Sequence, residues 1–143
     1  MNMTYRDEIP AEEILQEVSG ILTAKRYDPA NQLTGYLLTE DPTYLPYDAR
    51  SIIRRCERDE LIETVLNAYV RKHAESGSGK AGGDLQRALD EAKRSGNRAP
   101  LITLASYLAY ENASFLEPSV RSAFEKIDRE AAIGELLKSY FGK

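Results

Sequence analysis

Apolar residues fall at Ile14, Val18, Ile21 and Leu22, with Pro10 ahead of them and the acids Glu12 and Glu13 between. Steps of three and four put one apolar stripe on a helix over 11–25, and acids near its start suit the helix dipole. Asp28 followed by Pro29 is an N-cap signal that opens a second, short helix with Leu33, Tyr36 and Leu37 facing inward. Asp41-Pro42 stops it. After a turn, Asp48 is placed to cap a third helix carrying Ile52, Ile53 and Cys56. From about Asp59 a wider stripe of Leu61, Ile62, Val65, Leu66 and Tyr69 predicts a fourth helix, with a break near Arg58. No segment alternates with period two, so essentially no sheet is expected.

The pattern then returns. Between Pro29 and Tyr69, 12 of 41 positions are identical to the residue 71 places later, among them Tyr36/Tyr107, Glu40/Glu111, Arg50/Arg121, Arg58/Arg129 and Tyr69/Tyr140. Chance at ordinary composition gives roughly two or three. Upstream, Ile14/Leu85, Val18/Leu89 and Ile21/Ala92 keep an apolar stripe in the same register. The chain therefore reads as an internal duplication, with counterpart helices at 84–94, 100–110, 119–127 and 129–141. The Gly- and Ser-rich stretch Ser76–Gly83 between the halves reads as a flexible linker. The expected organisation is one helical half over 1–75, the linker over 76–83 and a second half over 84–143. The expected fold class is all-α, with about four helices in each half, packed as an intramolecular pseudo-dimer. Each half of about 60 residues is marginal alone, and pairing through the second and fourth helices would complete its core.

A chain of 143 residues and 16.1 kDa suits this arrangement and no large multidomain enzyme. Charged residues at 29 % and hydrophobic ones at 42 % are a soluble globular balance. The net charge of -4 repels DNA and acidic membranes unless a basic patch overrides it, so neither nucleic acid nor membrane is an expected partner. A lone cysteine, Cys56, and a lone histidine, His73, cannot supply a disulfide or a structural zinc site, and no cofactor is expected. No apolar run approaches the roughly 18 residues of a membrane span, and the start with Arg6, Asp7 and Glu8 lacks a signal-peptide pattern. The expected location is cytoplasmic.

Candidate chemistry is sparse. Gly77-Ser78-Gly79-Lys80 imitates a phosphate loop, but Ala81 stands where Ser or Thr is required and Ala74 where the first glycine belongs. Cys56 lies on an apolar face and is replaced by Ile127 in the second half, which assigns it to packing. His73 has no partner at a motif spacing. Arg50, Arg54 and Arg58 recur every four residues and predict three guanidinium groups along one face of the third helix, with Arg55 beside them. Such a face suits a phosphate or an acidic partner. The competing reading pairs the arginines with Glu40, Asp48, Glu57 and Asp59. Since Glu40, Arg50 and Arg58 recur in the second half while Arg54 becomes Glu125, Arg50 and Arg58 are expected to hold the fold. Arg54, Arg55 and the nearby Tyr47 are then the partner-surface candidates, and Tyr44, matched by Phe115, is expected in the core. An enzyme is disfavoured, because no nucleophile with a base, metal cluster or phosphate loop is present. The alternative function is a helical DNA-binding transcriptional regulator, since short helices joined by tight turns resemble helix-turn-helix units.

Tyr27-Asp28-Pro29-Ala30-Asn31-Gln32-Leu33-Thr34-Gly35-Tyr36-Leu37-Leu38, continuing through Glu40-Asp41-Pro42-Thr43-Tyr44-Leu45, resembles the IreB/ReoM family of small regulatory proteins of Gram-positive bacteria. Asp48-Ala49-Arg50-Ser51-Ile52-Ile53-Arg54-Arg55 and Glu57-Arg58-Asp59-Glu60-Leu61-Ile62 are similar to that family's second signature. The resemblance covers about Glu12 to Lys72, and the second half joins it only as a degenerate repeat. It implies an all-helical, non-enzymatic phosphoprotein, ordinarily a homodimer. Asp28, Pro29, Asn31, Gln32, Gly35, Tyr36, Asp41, Pro42, Arg50 and Arg58 are its signature positions here. The resemblance further implies phosphorylation of a threonine in the N-terminal tail, here Thr4, by a transmembrane Ser/Thr kinase. It also implies contact with a protease adaptor and control of cell-wall synthesis and antibiotic tolerance. The expected state is a monomer with an internal pseudo-twofold, with a dimer as the other possibility.

Overall fold

The computed structural model describes residues 10–75 and 83–142, with side chains at all of these except 73–75. Thr4, the Ser76–Gly82 stretch with its phosphate-loop imitation, and the His73 side chain lie outside the described residues. Among the described residues eight α-helices follow one another: α1 (Ala11–Ala24), α2 (Pro29–Thr39), α3 (Tyr47–Ile53), α4 (Arg58–Glu75), α5 (Gly83–Arg94), α6 (Pro100–Tyr110), α7 (Pro118–Glu125) and α8 (Arg129–Gly142). A 3-10 turn, Pro42–Tyr44, links α2 to α3. No strand occurs among the described residues.

Local chemistry sets most boundaries. The Asp28 carboxylate accepts from Ala30 N at 3.1 Å, with Pro29 at the first helical position of α2. Asp41 does the same for the 3-10 turn, accepting from Thr43 N at 3.0 Å and the Thr43 hydroxyl at 2.7 Å. These two bonds hold its carboxyl below the usual carboxylate range. Asn112 and Ser114 rebuild that turn in the second half. One expected start moves: α3 is preceded by Pro46, and Asp48 sits in its first turn without capping it. Another register also shifts. Arg26 and Gly96, 70 residues apart, take the left-handed conformation after α1 and α5, at φ 70 and 91. Tyr27 N then bonds Leu22 O, and Asn97 N bonds Ala92 O, which is the same turn with the same spacing. The offset is therefore 70 here and 71 from Pro29 onward, with the extra residue absorbed in the loop before α6.

Packing exchanges the halves. Within each half, the first helix packs on the third, α1 on α3 and α5 on α7. The largest contacts cross over: α4 lies on α6, and α2 lies on α8. Helix four of one half thus covers helix two of the other, and α4 also meets α8. Buried residues from all eight helices form one continuous core, from Ile14 and Leu15 through Leu66 to Phe124 and Leu137. The fold is all-α and the halves form an intramolecular pseudo-dimer, as the apolar faces implied. Tyr69 on α4 crosses the seam, donating to Glu135 Oε2 on α8 at 2.5 Å. Burial first, and then that bond, push its phenol well above the usual range.

Tyr44 departs from expectation. It is 39 % exposed rather than buried, because its ring lies flat on α2 at Gly35 instead of entering the core. A Cβ at Gly35 would collide with that ring, 2.7 Å from its Cζ, whereas a Cβ at Gly20 on α1 would meet nothing within 4 Å. The two glycines therefore respond with opposite signs. Gly35→Ala should lower stability by about 1–3 kcal/mol through overpacking. Gly20→Ala should raise it by about 0.5–1 kcal/mol through helix propensity, and urea denaturation of both variants checks the pair.

Candidate functional site

The arginine series does not form the continuous face that its spacing predicted. α3 ends at Ile53, and Arg54, Arg55 and Cys56 make a tight turn, with Arg55 N bonded to Ile52 O at 3.2 Å, before α4 starts at Arg58. The four guanidinium groups are thereby sorted. Arg50 Nε donates to Leu45 O at 2.9 Å and pins the loop before α3. Its partner is a carbonyl rather than Asp48. Arg121 makes the corresponding bonds to Ala113 O and Leu116 O in the second half.

Arg58 goes inside. Its side chain is only 11 % exposed, and its Nη1 donates to Leu37 O at 2.8 Å and across the seam to Ala109 O at 3.1 Å. Nη2 lies 3.6 Å from Glu40 Oε1, and the guanidinium stands 4.9 Å over the Tyr110 ring. Arg129 repeats the pattern on Leu108 O, Ala109 O and Glu111 Oε1. Both glutamates sit at φ near 60, where glycine is the usual helix terminator. Glutamate there delivers a carboxylate to the arginine at the end of the same helix. Neither the crossing to Ala109 nor the stacking on Tyr110 was signalled in the sequence; the recurrence of Glu40 and Arg58 at Glu111 and Arg129 was the visible trace.

Arg54, Arg55 and Tyr47 stay outside. Tyr47 is 85 % exposed, and Arg54 and Arg55 are exposed. None of the three makes a side-chain hydrogen bond or ion pair among the described residues. Tyr47 and Arg54 are seven residues apart at the two ends of α3 and share its face. Arg55 points elsewhere, into a groove of about 650 Å³ between α1, α4 and the end of α8, where Glu12, Glu60, Glu63, Arg71 and Tyr140 also lie. Cys56 borders this groove with its thiol 3.3 Å from Glu60 Oε1. Burial, and next the bond to Glu60, push the thiol up to about 12, which leaves it without nucleophilic character at neutral pH.

The signature positions divide in the same way. Asp28, Pro29, Asp41 and Pro42 start elements, Gly35 seats the Tyr44 ring, and Tyr36 is buried. Gln32 Nε2 donates to Tyr44 O at 2.6 Å and closes the loop onto α2. Asn31 is exposed and has no side-chain partner among the described residues. Also among the described residues, no group of acids, histidines and cysteines could hold a metal ion, and no helix is long and apolar enough to cross a membrane.

An all-helical protein whose two halves complete one another, with its buried arginines spent on helix ends, has the build of a scaffold that presents surfaces. The model of the IreB regulatory phosphoprotein family matches residues 1–71. The chain belongs to the IreB family through this first half. No solved structure matches it.

The division of labour has a direct consequence. Arg58→Ala strips donors from two buried helix ends and should cost about 3 kcal/mol or more, and Arg58→Lys should recover only part because an ammonium cannot span both carbonyls and Glu40. The double change Arg54→Ala with Arg55→Ala should stay within about 0.5 kcal/mol of the parent. Thermal unfolding of the three proteins measures this; equal losses would refute the sorting.

Proposed function

We propose that this chain is a non-enzymatic regulatory adaptor acting through protein contacts, with its second half standing in for the second subunit of a homodimer. The observation that carries the reading is the helix exchange: α4 covers α6 and α2 covers α8, so one chain supplies both sides of a core that one four-helix half leaves open. Residues 1–75 act in this reading as the family-like half and residues 84–143 as its degenerate copy, joined through residues 76–83.

The contact surface is the one on which the fold makes no demand. Tyr47 and Arg54 share the outer face of α3 and Arg55 opens into the groove beside it; all three are exposed and without a side-chain partner among the described residues, and tyrosine and arginine are residue types that interfaces favour. Their counterparts are Pro118, Glu125 and Lys126, so the surface occurs once per chain. Thr4 is the phosphoacceptor for a transmembrane Ser/Thr kinase. A phosphate there adds about two negative charges beside Asp7 and Glu8 and changes partner binding rather than folding. A protease adaptor is among the partners, and the output is control of cell-wall synthesis and antibiotic tolerance in the cytoplasm of a Gram-positive cell, by a monomer.

The test replaces the native gene with one encoding Tyr47→Ala, Arg54→Ala and Arg55→Ala together. The triple variant should keep its melting temperature, lose copurifying partner proteins about fivefold or more and alter tolerance to cell-wall antibiotics. Unchanged partners and tolerance would overturn the reading. So would submicromolar, steeply salt-dependent binding of random duplex DNA by the parent protein, which would favour a transcriptional regulator.

A further inference from the structure

The second half keeps the helical plan and changes its surface. Where α2 has Asn31 and Thr39, α6 has Ile102 and Tyr110, and Phe115 stands at the position of Tyr44. Ile102 is 53 % exposed, Tyr110 43 % and Phe115 64 %. Residues 102, 106 and 110 follow at four-residue steps and share a helix face about 12 Å long. Position 106 also explains Phe115. In the first half the Tyr44 ring rests on Gly35, but the equivalent residue on α6 is Ser106, which lacks that open seat, and Phe115 is more exposed than Tyr44. A polar face in one half is thus an exposed apolar face in the other, of the kind that marks an interaction site.

The charge at one end of this face is lopsided. Tyr110 lies under the Arg58 guanidinium, which is already engaged with Glu40 and with the carbonyls of Leu37 and Ala109. Glu57 and Asp59 flank Arg58, and with Glu40 these carboxylates outnumber the single guanidinium around Tyr110. An excess of carboxylates beside an apolar face favours a partner segment that brings a cation.

We propose that the Ile102, Tyr110 and Phe115 face docks a short amphipathic segment of a partner protein that carries large apolar residues and, at the Tyr110 end, a lysine or arginine. Its apolar side covers Ile102 and Phe115, while its cation compensates Glu57 and Asp59 beside Tyr110. A second copy of this chain fits less well, because two molecules of net charge -4 would meet acidic rim to acidic rim. The apolar part of this surface belongs to the second half and its acidic end to the start of α4, and it does not depend on Tyr47, Arg54 and Arg55.

The test is a fluorescence anisotropy titration of the full chain with a labelled amphipathic helical peptide of leucine and lysine, and with its leucine and glutamate counterpart. The lysine peptide should bind about tenfold tighter or better. Ile102→Asn with Phe115→Asn should weaken it about tenfold or more, and Asp59→Asn or Tyr110→Thr about threefold, with melting temperatures confirming folded variants. Arg54→Ala with Arg55→Ala should leave it unchanged. Equal binding of the two peptides, or equal binding by the Ile102 and Phe115 variant, would overturn the proposal. Loss confined to the Arg54 and Arg55 variant would also overturn it and move the site to α3. Concentration-dependent dimerisation that Ile102→Asn with Phe115→Asn abolishes would make the occupant a second copy and overturn it equally.

Discussion

Two arginines converge on one carbonyl oxygen. Ala109 O accepts from Arg58 Nη1 at 3.1 Å and from Arg129 Nη2 at 3.2 Å. The last carbonyls of a helix have no partner within the helix, and where they are buried something must donate to them. α2 and α6 both end at the seam between the halves, where the carbonyls of Leu37, Leu108 and Ala109 are partly shielded from water, and the donors come from the first turns of α4 and α8. That requirement fixes where α4 and α8 begin, and their directions then carry each across the opposite half. The cationic guanidinium groups also suit the negative ends of these helices. Their burial is balanced by Glu40 and Glu111, held in a left-handed conformation that costs on the order of 1 kcal/mol for a residue with a side chain.

The junction is not symmetric. Arg58 reaches both Leu37 in its own half and Ala109 in the other, whereas among the described residues Arg129 bonds within the second half. α4 and α6 also make a larger contact than α2 and α8. Small residues permit that: Ala105 and Ala109 on α6 stand where α2 has Thr34 and Leu38. On the other side, Thr34 is buried near Gly134 and folds its hydroxyl back onto Ala30 O at 2.6 Å. Once both halves reside in one chain, their inner faces are free to adapt to each other and their outer faces to diverge.

Much of this architecture is legible in the sequence. Asp28-Pro29 and Asp41-Pro42 carry their own capping chemistry, and apolar spacing located α1, α2 and α4 because buried faces must repeat with the helix. The identical pairs pointed to the inward residues, Arg58 and Arg129 above all, since a core contact constrains both halves at once. Tertiary facts were hidden. Four-residue spacing of Arg50, Arg54 and Arg58 means one face only if the helix continues, and the turn at Arg54–Cys56 leaves no periodic mark. Tyr44 reads as core by its pairing with Phe115, yet both rings lie outside, because the seat at Gly35 belongs to a backbone that sequence pattern does not describe. Glutamate at φ 64 and 59 is invisible to a reading that expects glycine at helix ends. The groove holding Arg55 arises where three helices meet, with no motif to announce it.

The two halves form one cooperative unit, closed by exchanged helices and the arginine junction. Hydrogen exchange of the intact chain under increasing denaturant measures it most directly, because it reports the opening free energy of each helix separately. The most protected amides of α2, α4, α6 and α8 should converge on a single global opening, and Arg129→Ala should lower all four together. Separate opening of the two halves, or loss of protection in α8 and α6 alone with α2 and α4 unchanged, would contradict the account.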